Sequence, residues 1–114
     1  MATLTRARLS ASLRREMVAA LEHAGVVRSP SVRRAFLAVP RELFVPELVA
    51  RDGLAAIYRP DEALATATDS RGMAISSSSA PMIMAPMLEA LQLRPGHSVL
   101  EVGVGSDRET EADQ

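Results

Sequence analysis

Two short stretches carry residue types that could do chemistry. The first is Ile75-Ser76-Ser77-Ser78-Ser79-Ala80-Pro81, four consecutive hydroxyls ahead of a proline suited to the first position of a helix. A hydroxyl there either caps the free backbone donors of the helix, the plain structural use of Ser79, or joins the exposed amides in holding a ligand carboxylate. The second is the apolar run Ser98-Val99-Leu100-Glu101-Val102 with Gly103-Val104-Gly105 behind it. Missing side chains at Gly103 and Gly105 let a ligand approach the backbone closely, although a plain exit from a strand into a loop uses the same letters. Glu101, one residue inside the end of the run, can reach a ligand ammonium or simply stand in solvent. A hydrolase triad is poorly supported: there is no Gly-x-Ser-x-Gly elbow, no cysteine, and neither His23 nor His97 stands in an evident partnership with the serines. His97 reads as a turn residue and His23 as a helix-surface residue.

The elements that must position these groups follow from periodicity and punctuation. Leu9, Leu13, Met17, Ala20, Leu21 and Ala24 recur at spacings of three and four, predicting a first helix that Gly25 stops. Ser29-Pro30 caps a second short helix with Val32, Ala35, Phe36 and Val39 on its apolar face, ended by Pro40. A tight turn from Arg41 to Pro46 tucks Leu43 and Phe44 under the helices, so Phe36, Leu43 and Phe44 are expected in the core. Helical residues resume over 46–56. Leu64 to Thr68 predicts a strand, Asp69 to Gly72 a turn, and Met73 to Ser76 a returning strand. A helix starts at Pro81, tolerates Pro86, and closes near Leu93, before a turn at Arg94 to His97. The nearly all-apolar run 98–102 predicts a strand covered on both faces, as in a parallel sheet. Strand and glycine pair together resemble the first strand and cofactor loop of Rossmann-type enzymes, without the third glycine of the dinucleotide fingerprint.

Composition narrows the classes. A chain of 114 residues, 47% hydrophobic and 24% charged, is long enough for one small core. Its formal charge of -1 gives no global attraction to nucleic acid or acidic lipid. Arg6, Arg8, Arg14, Arg15, Arg33 and Arg34 are the sole support for a small helical nucleic-acid binder, and such groups read as solvated faces. The absence of cysteine removes disulfide scaffolds, thiolate nucleophiles and cysteine zinc sites, and no metal site is expected. The longest uncharged run, Gly72 to Leu88, carries four serines and two prolines, unlike a membrane span. The expectation is a soluble, cytoplasmic protein.

Several separated blocks then agree. Val39-Pro40-Arg41-Glu42-Leu43-Phe44-Val45-Pro46, Tyr58, Ile75 to Ala85 with Ser79-Ala80-Pro81, Met87-Leu88-Glu89-Ala90-Leu91, and Arg94-Pro95-Gly96 leading to Val99 through Ser106 together resemble the protein-L-isoaspartate O-methyltransferase family. The resemblance implies transfer of a methyl group from S-adenosylmethionine to the carboxylate of L-isoaspartyl residues in proteins or peptides, a repair reaction. It implies that Ser79 orients the acceptor carboxylate and that Glu101, Gly103 and Gly105 meet the cofactor. A carboxylate with a pKa near 4 is already ionised at neutral pH, so the reaction needs no histidine base and no cysteine nucleophile.

The implied fold is α/β: a helical, substrate-facing portion over 1–97, the first Rossmann strand and glycine loop over 98–106, and a divergent acidic tail over 107–114. The family continues past the loop with another glycine, a helix and further strands, and 107–114 does not match that continuation. The sequence therefore predicts an incomplete, inactive form of the enzyme that binds the cofactor weakly. The alternatives are a non-catalytic peptide-binding remnant of the family and a variant that methylates ordinary aspartate.

Overall fold

The computed structural model describes residues 2–102. Helix α1, Ala2–His23, is the longest element, and its last turn closes as a Schellman motif. Val26 N–H reaches back to Leu21 O at 3.1 Å and Gly25 N–H to Glu22 O at 3.0 Å, with Gly25 at φ +78°. Only glycine takes that dihedral without a steric penalty from Cβ. The buried stripe of α1 is Ser10, Met17, Val18 and Leu21, with Leu13 partly covered. Leu9, expected inside, is half exposed, because the face has turned to bury Ser10 instead.

Helix α2, Pro30–Ala38, begins as its sequence dictates, with Ser29 Oγ accepting from Val32 N–H at 3.3 Å and proline in the first position. A second cap comes from elsewhere in the chain: the Glu89 carboxylate accepts from Ser29 N–H at 2.8 Å and from Arg28 N–H. These bonds hold the Glu89 carboxyl below its usual range: the hydrogen bonds to Ser29 lead, followed by that to Arg28. The charge also suits the positive end of the helix.

After Pro40 the chain makes one 3-10 turn, Arg41–Leu43, and enters α3, Pro46–Asp52. Gly53 at φ +87° separates α3 from the short α4, Leu54–Ile57. Strands β1, Leu64–Thr68, and β2, Ala74–Ser78, pair antiparallel with Leu64 opposite Ser78 and Ala65 opposite Ser77. Asp69 builds the turn between them, its Oδ1 accepting from Arg71 N–H and Met73 N–H, both at 2.9 Å. Helix α5, Pro81–Leu91, contains Pro86 and ends on Gln92 in the left-handed conformation. His97 sits in the following turn, where its Nδ1 accepts from Arg94 N–H at 3.1 Å.

One core joins these pieces: Met17 and Leu21 of α1, Val27, Val45, Leu48 of α3, Ile57, Tyr58 and Ala85 of α5. Phe36 packs on its edge as expected. Leu43 and Phe44 do not enter it, being 47% and 38% exposed. The 3-10 turn explains this: three residues per turn put only Val45 inward before Pro46 restarts the chain as α3.

The expected strand at 98–102 is absent. Residues 98–101 have no regular structure, and Val99, Leu100 and Val102 are exposed. A strand exists only with a hydrogen-bonded neighbour, and the two strands among the described residues already pair with each other. The observed architecture is thus mixed: helices around one core, with a small antiparallel hairpin on its flank.

Candidate functional site

The serine run is shared between two elements. Ser76, Ser77 and Ser78 end β2, two residues further than the sequence suggested, and Ser79 with Ala80 forms the link into α5. Ser78 is partly buried and Ser79 is exposed. Neither caps the helix: the N-cap position belongs to Ala80, which has no side-chain oxygen.

The helix start is also short of free donors. Pro81 has no N–H, Met82 N–H donates to Pro60 O at 2.8 Å, and Ile83 and Met84 N–H both reach Ala80 O at 2.9 and 3.0 Å. An anion placed here must therefore be held by side chains more than by the backbone of the first turn.

A cavity of about 180 Å³ opens beside this link, lined by Val39, Arg41, Phe44, Val45, Leu64, Ser78 and Met84. Its walls come from every piece just described: the 3-10 turn, the start of β1, the end of β2 and α5. They are apolar except for one hydroxyl and one guanidinium. Arg41 is anchored through Nε, which donates to Ile57 O at 3.0 Å. Its Nη2 is shielded from solvent and has no partner among the described residues. Burial lowers the Arg41 pKa, opposed only by a smaller contribution from Tyr58. A larger recess of about 650 Å³ lies between α2 and the end of α5, lined in part by Arg28, Val32, Leu88 and Arg94, but its carboxylate, Glu89, is already engaged as the cap of α2.

Behind the cavity wall a polar cluster fixes the 3-10 turn to α1. The Tyr58 hydroxyl donates to Glu42 Oε1 and accepts from Arg41 N–H at 3.1 Å and Arg14 Nη1 at 3.2 Å. Arg14 also donates to Ser10 Oγ and, through Nε, to Leu37 O at 2.9 Å. Burial pushes the Tyr58 pKa up, and the neighbouring Glu42 adds to it. For Glu42 burial acts upward too, but hydrogen bonds from Ser10 and Tyr58, with Arg14 nearby, outweigh it and hold the carboxyl below its ordinary value.

Sequence reasoning missed this cluster, and it placed Arg14 on a solvated face. The available signal was the apolar stripe itself, which put Leu13, Met17 and Leu21 inward and so carried Ser10 and Arg14 along with them. Arg33 faces water as expected and pairs there with Glu22 at 3.3 Å.

Of the four residues expected at the site, Ser79 lies next to the cavity residue Ser78. Glu101 is exposed, on the unstructured stretch before Val102. Gly103 and Gly105 lie outside the described residues. No helix among the described residues is long and apolar enough to cross a membrane.

The model of the family described as Protein-L-isoaspartate(D-aspartate) O-methyltransferase matches residues 12–112. The chain belongs to this family. It is 44% identical over 93 residues to the protein-L-isoaspartate O-methyltransferase of Hyperthermus butylicus, covering 82% of this chain and 34% of that relative. Identity to the Methanopyrus kandleri enzyme of the same name is 44% over 93 residues, covering 82% of this chain and 36% of the relative. With Protein-L-isoaspartate O-methyltransferase 1 of Rhodopseudomonas palustris it is 43% over 96 residues, 84% of this chain and 35% of the relative. The chain thus spans about a third of the length of the curated relatives it matches. No solved structure matches it.

Proposed function

We propose that this chain supplies the acceptor-binding part of a protein that transfers a methyl group from S-adenosylmethionine to the carboxylate of L-isoaspartyl residues in proteins or peptides. The observation that carries the reading is the family match across 12–112. The architecture supports it. A largely apolar cavity bearing a hydroxyl and a guanidinium suits a peptide side chain that ends in a carboxylate.

The nucleophile is the substrate's own ionised carboxylate, so this chain has only to bind, orient and dry it. Ser79, at the mouth of the link between β2 and α5, donates its hydroxyl proton to one oxygen and turns the other outward. The apolar walls from Val39, Leu64 and Met84 exclude water. In the same reading residues 98–106, which form no strand over 98–101 here, become the first strand and glycine loop of a Rossmann-type methyltransferase domain once neighbouring strands are supplied, and Glu101, Gly103 and Gly105 face the cofactor there.

The test is a graft. The chain's matched segment replaces the corresponding 93 residues of the Methanopyrus kandleri relative, and transfer of labelled methyl to an isoaspartyl peptide is followed against an aspartyl control. Transfer confined to the isoaspartyl peptide is the expected result. A folded graft that labels neither peptide overturns the reading, and labelling of the aspartyl control alone would move the acceptor to ordinary aspartate.

A further inference from the structure

Among the described residues Arg41 is an uncompensated cation. Its immediate neighbour in sequence, Glu42, is turned away to Tyr58, and the ion pairs among the described residues join other arginines to other acids. A guanidinium offers five N–H donors, and Arg41, partly buried, leaves its shielded Nη2 without an acceptor, which costs free energy. Nε is satisfied by a carbonyl, which fixes the direction of the side chain but neutralises nothing. The charge nonetheless lies in the wall of a cavity of about 180 Å³, more space than a single water needs. In that largely apolar setting a positive charge acts on an entering anion with little screening.

We propose that Arg41 is the anion anchor of this cavity and selects acceptor peptides by the carboxylate they bring to it, with Ser78 the second polar contact in its lining. The inference rests on the acceptor-binding reading above. It adds a division of labour: Arg41 and Ser78 determine which side chain enters, while Ser79 at the rim orients it. Because Nε is committed to Ile57 O, the side-on fork of the guanidinium is spent, and a carboxylate meets it through the Nη groups. A glutamine at position 41 would keep a donor but remove the charge, and with it the preference.

The experiment uses the chain as it exists. Calorimetry with an isoaspartyl hexapeptide and with its twin carrying a carboxamide in place of that carboxylate should show at least tenfold tighter binding of the carboxylate form. In Arg41→Gln the ratio should fall below about threefold, and in Arg41→Lys it should largely remain. Leu64→Phe, which fills the cavity, should weaken both peptides. A readout without mutation guards against a variant that fails to fold: the Arg41 Nε–Hε resonance should move on titration with the carboxylate peptide and stay in place with the carboxamide.

A ratio near one in the parent chain, absence of binding by either peptide, an unchanged ratio in Arg41→Gln or a static resonance would each overturn the proposal. Its failure is separable from that of the methyl-transfer reading. The grafted protein would then still label isoaspartyl peptide, whereas a carboxylate preference without any labelling would remove the transfer reading alone.

Discussion

Replacing Tyr58 with phenylalanine removes one oxygen from the centre of the polar cluster and leaves the ring in place. Tyr58 is 4% exposed, so water cannot substitute for its hydroxyl. Two groups lose their partners. Arg41 N–H, held at 3.1 Å in the parent, is left without an acceptor, and the Glu42 carboxylate loses a donor. Arg14 keeps Ser10 and Leu37 O, and Ser10, 3.3 Å from the hydroxyl, keeps Arg14, so their losses are smaller. A stranded donor costs about 1–2 kcal/mol and a lost bond to a charged group about 1.5 kcal/mol, the latter partly recovered because Glu42 reaches solvent. The expected cost is about 2–3 kcal/mol.

For a chain of this size, an unfolding entropy of about 2.1 cal/mol/K per residue converts each kcal/mol into about 4 °C. Tyr58→Phe should therefore lower Tm by about 8–12 °C at neutral pH. The pH dependence gives a second, independent check. The folded pKa of Glu42 lies below its ordinary value, so the stability it contributes is present above about 4.3 and is lost as pH falls through the lowered folded value. Tyr58→Phe removes one of the bonds that depress it. The gap in stability between parent and variant should consequently narrow as pH drops from 5 toward 3. A Tm change below about 3 °C at pH 7, or a gap that widens in acid, would refute the cluster as drawn.

In the grafted protein, Ser79→Ala should slow methyl transfer at least tenfold with a Tm change under about 2 °C, since no helix cap is lost; unchanged transfer kinetics would remove Ser79 from the site. Gly53→Ala should cost about 1–3 kcal/mol in denaturant titration, because φ +87° strains any side chain even though nothing lies within 4 Å of the added Cβ. Leu21→Ala, at a fully buried position, should cost about 2–5 kcal/mol, whereas Phe44→Ala, 38% exposed, should fall clearly below the roughly 3–5 kcal/mol of a buried phenylalanine. Equal losses in those two variants, measured by chemical unfolding, would contradict the burial of one and the exposure of the other.

Those contrasts show where local signals sufficed. Helix stops and turns rest on dihedrals that few residues allow, so Gly25, Pro30, Gly72 and Pro81 marked their elements to within a few residues. Strand β1 was legible from its threonines and the Asp69 turn. Element content says less about which way a short segment rolls. Leu43 and Phe44 look like core residues by type, but three residues per turn and a proline at each end leave room inside for Val45 alone. The apolar run 98–102 reads as a strand by type, and type cannot supply the neighbour that would make it one.

The candidate site divides along the same line. Its serines stood out because hydroxyls before a proline form a local pattern. Arg41 did not, although it stood in a quoted motif, because what sets it apart is the pairing of everything around it. Glu42 is bound to Tyr58, Arg14 to Ser10 and a carbonyl, and Glu89 to the start of α2. Glu42, the acid next to Arg41 in sequence, is claimed by Tyr58 at a separation of 16 residues, and Glu89 by Ser29 at 60. A free charge is a property of the whole set of pairings, and no window of sequence contains that set. This also explains why the cavity, although mostly apolar, favours an anion over a neutral side chain of equal size. Its apolar walls contribute similarly to either guest, so discrimination falls to Arg41, whose Nη2 has no partner among the described residues.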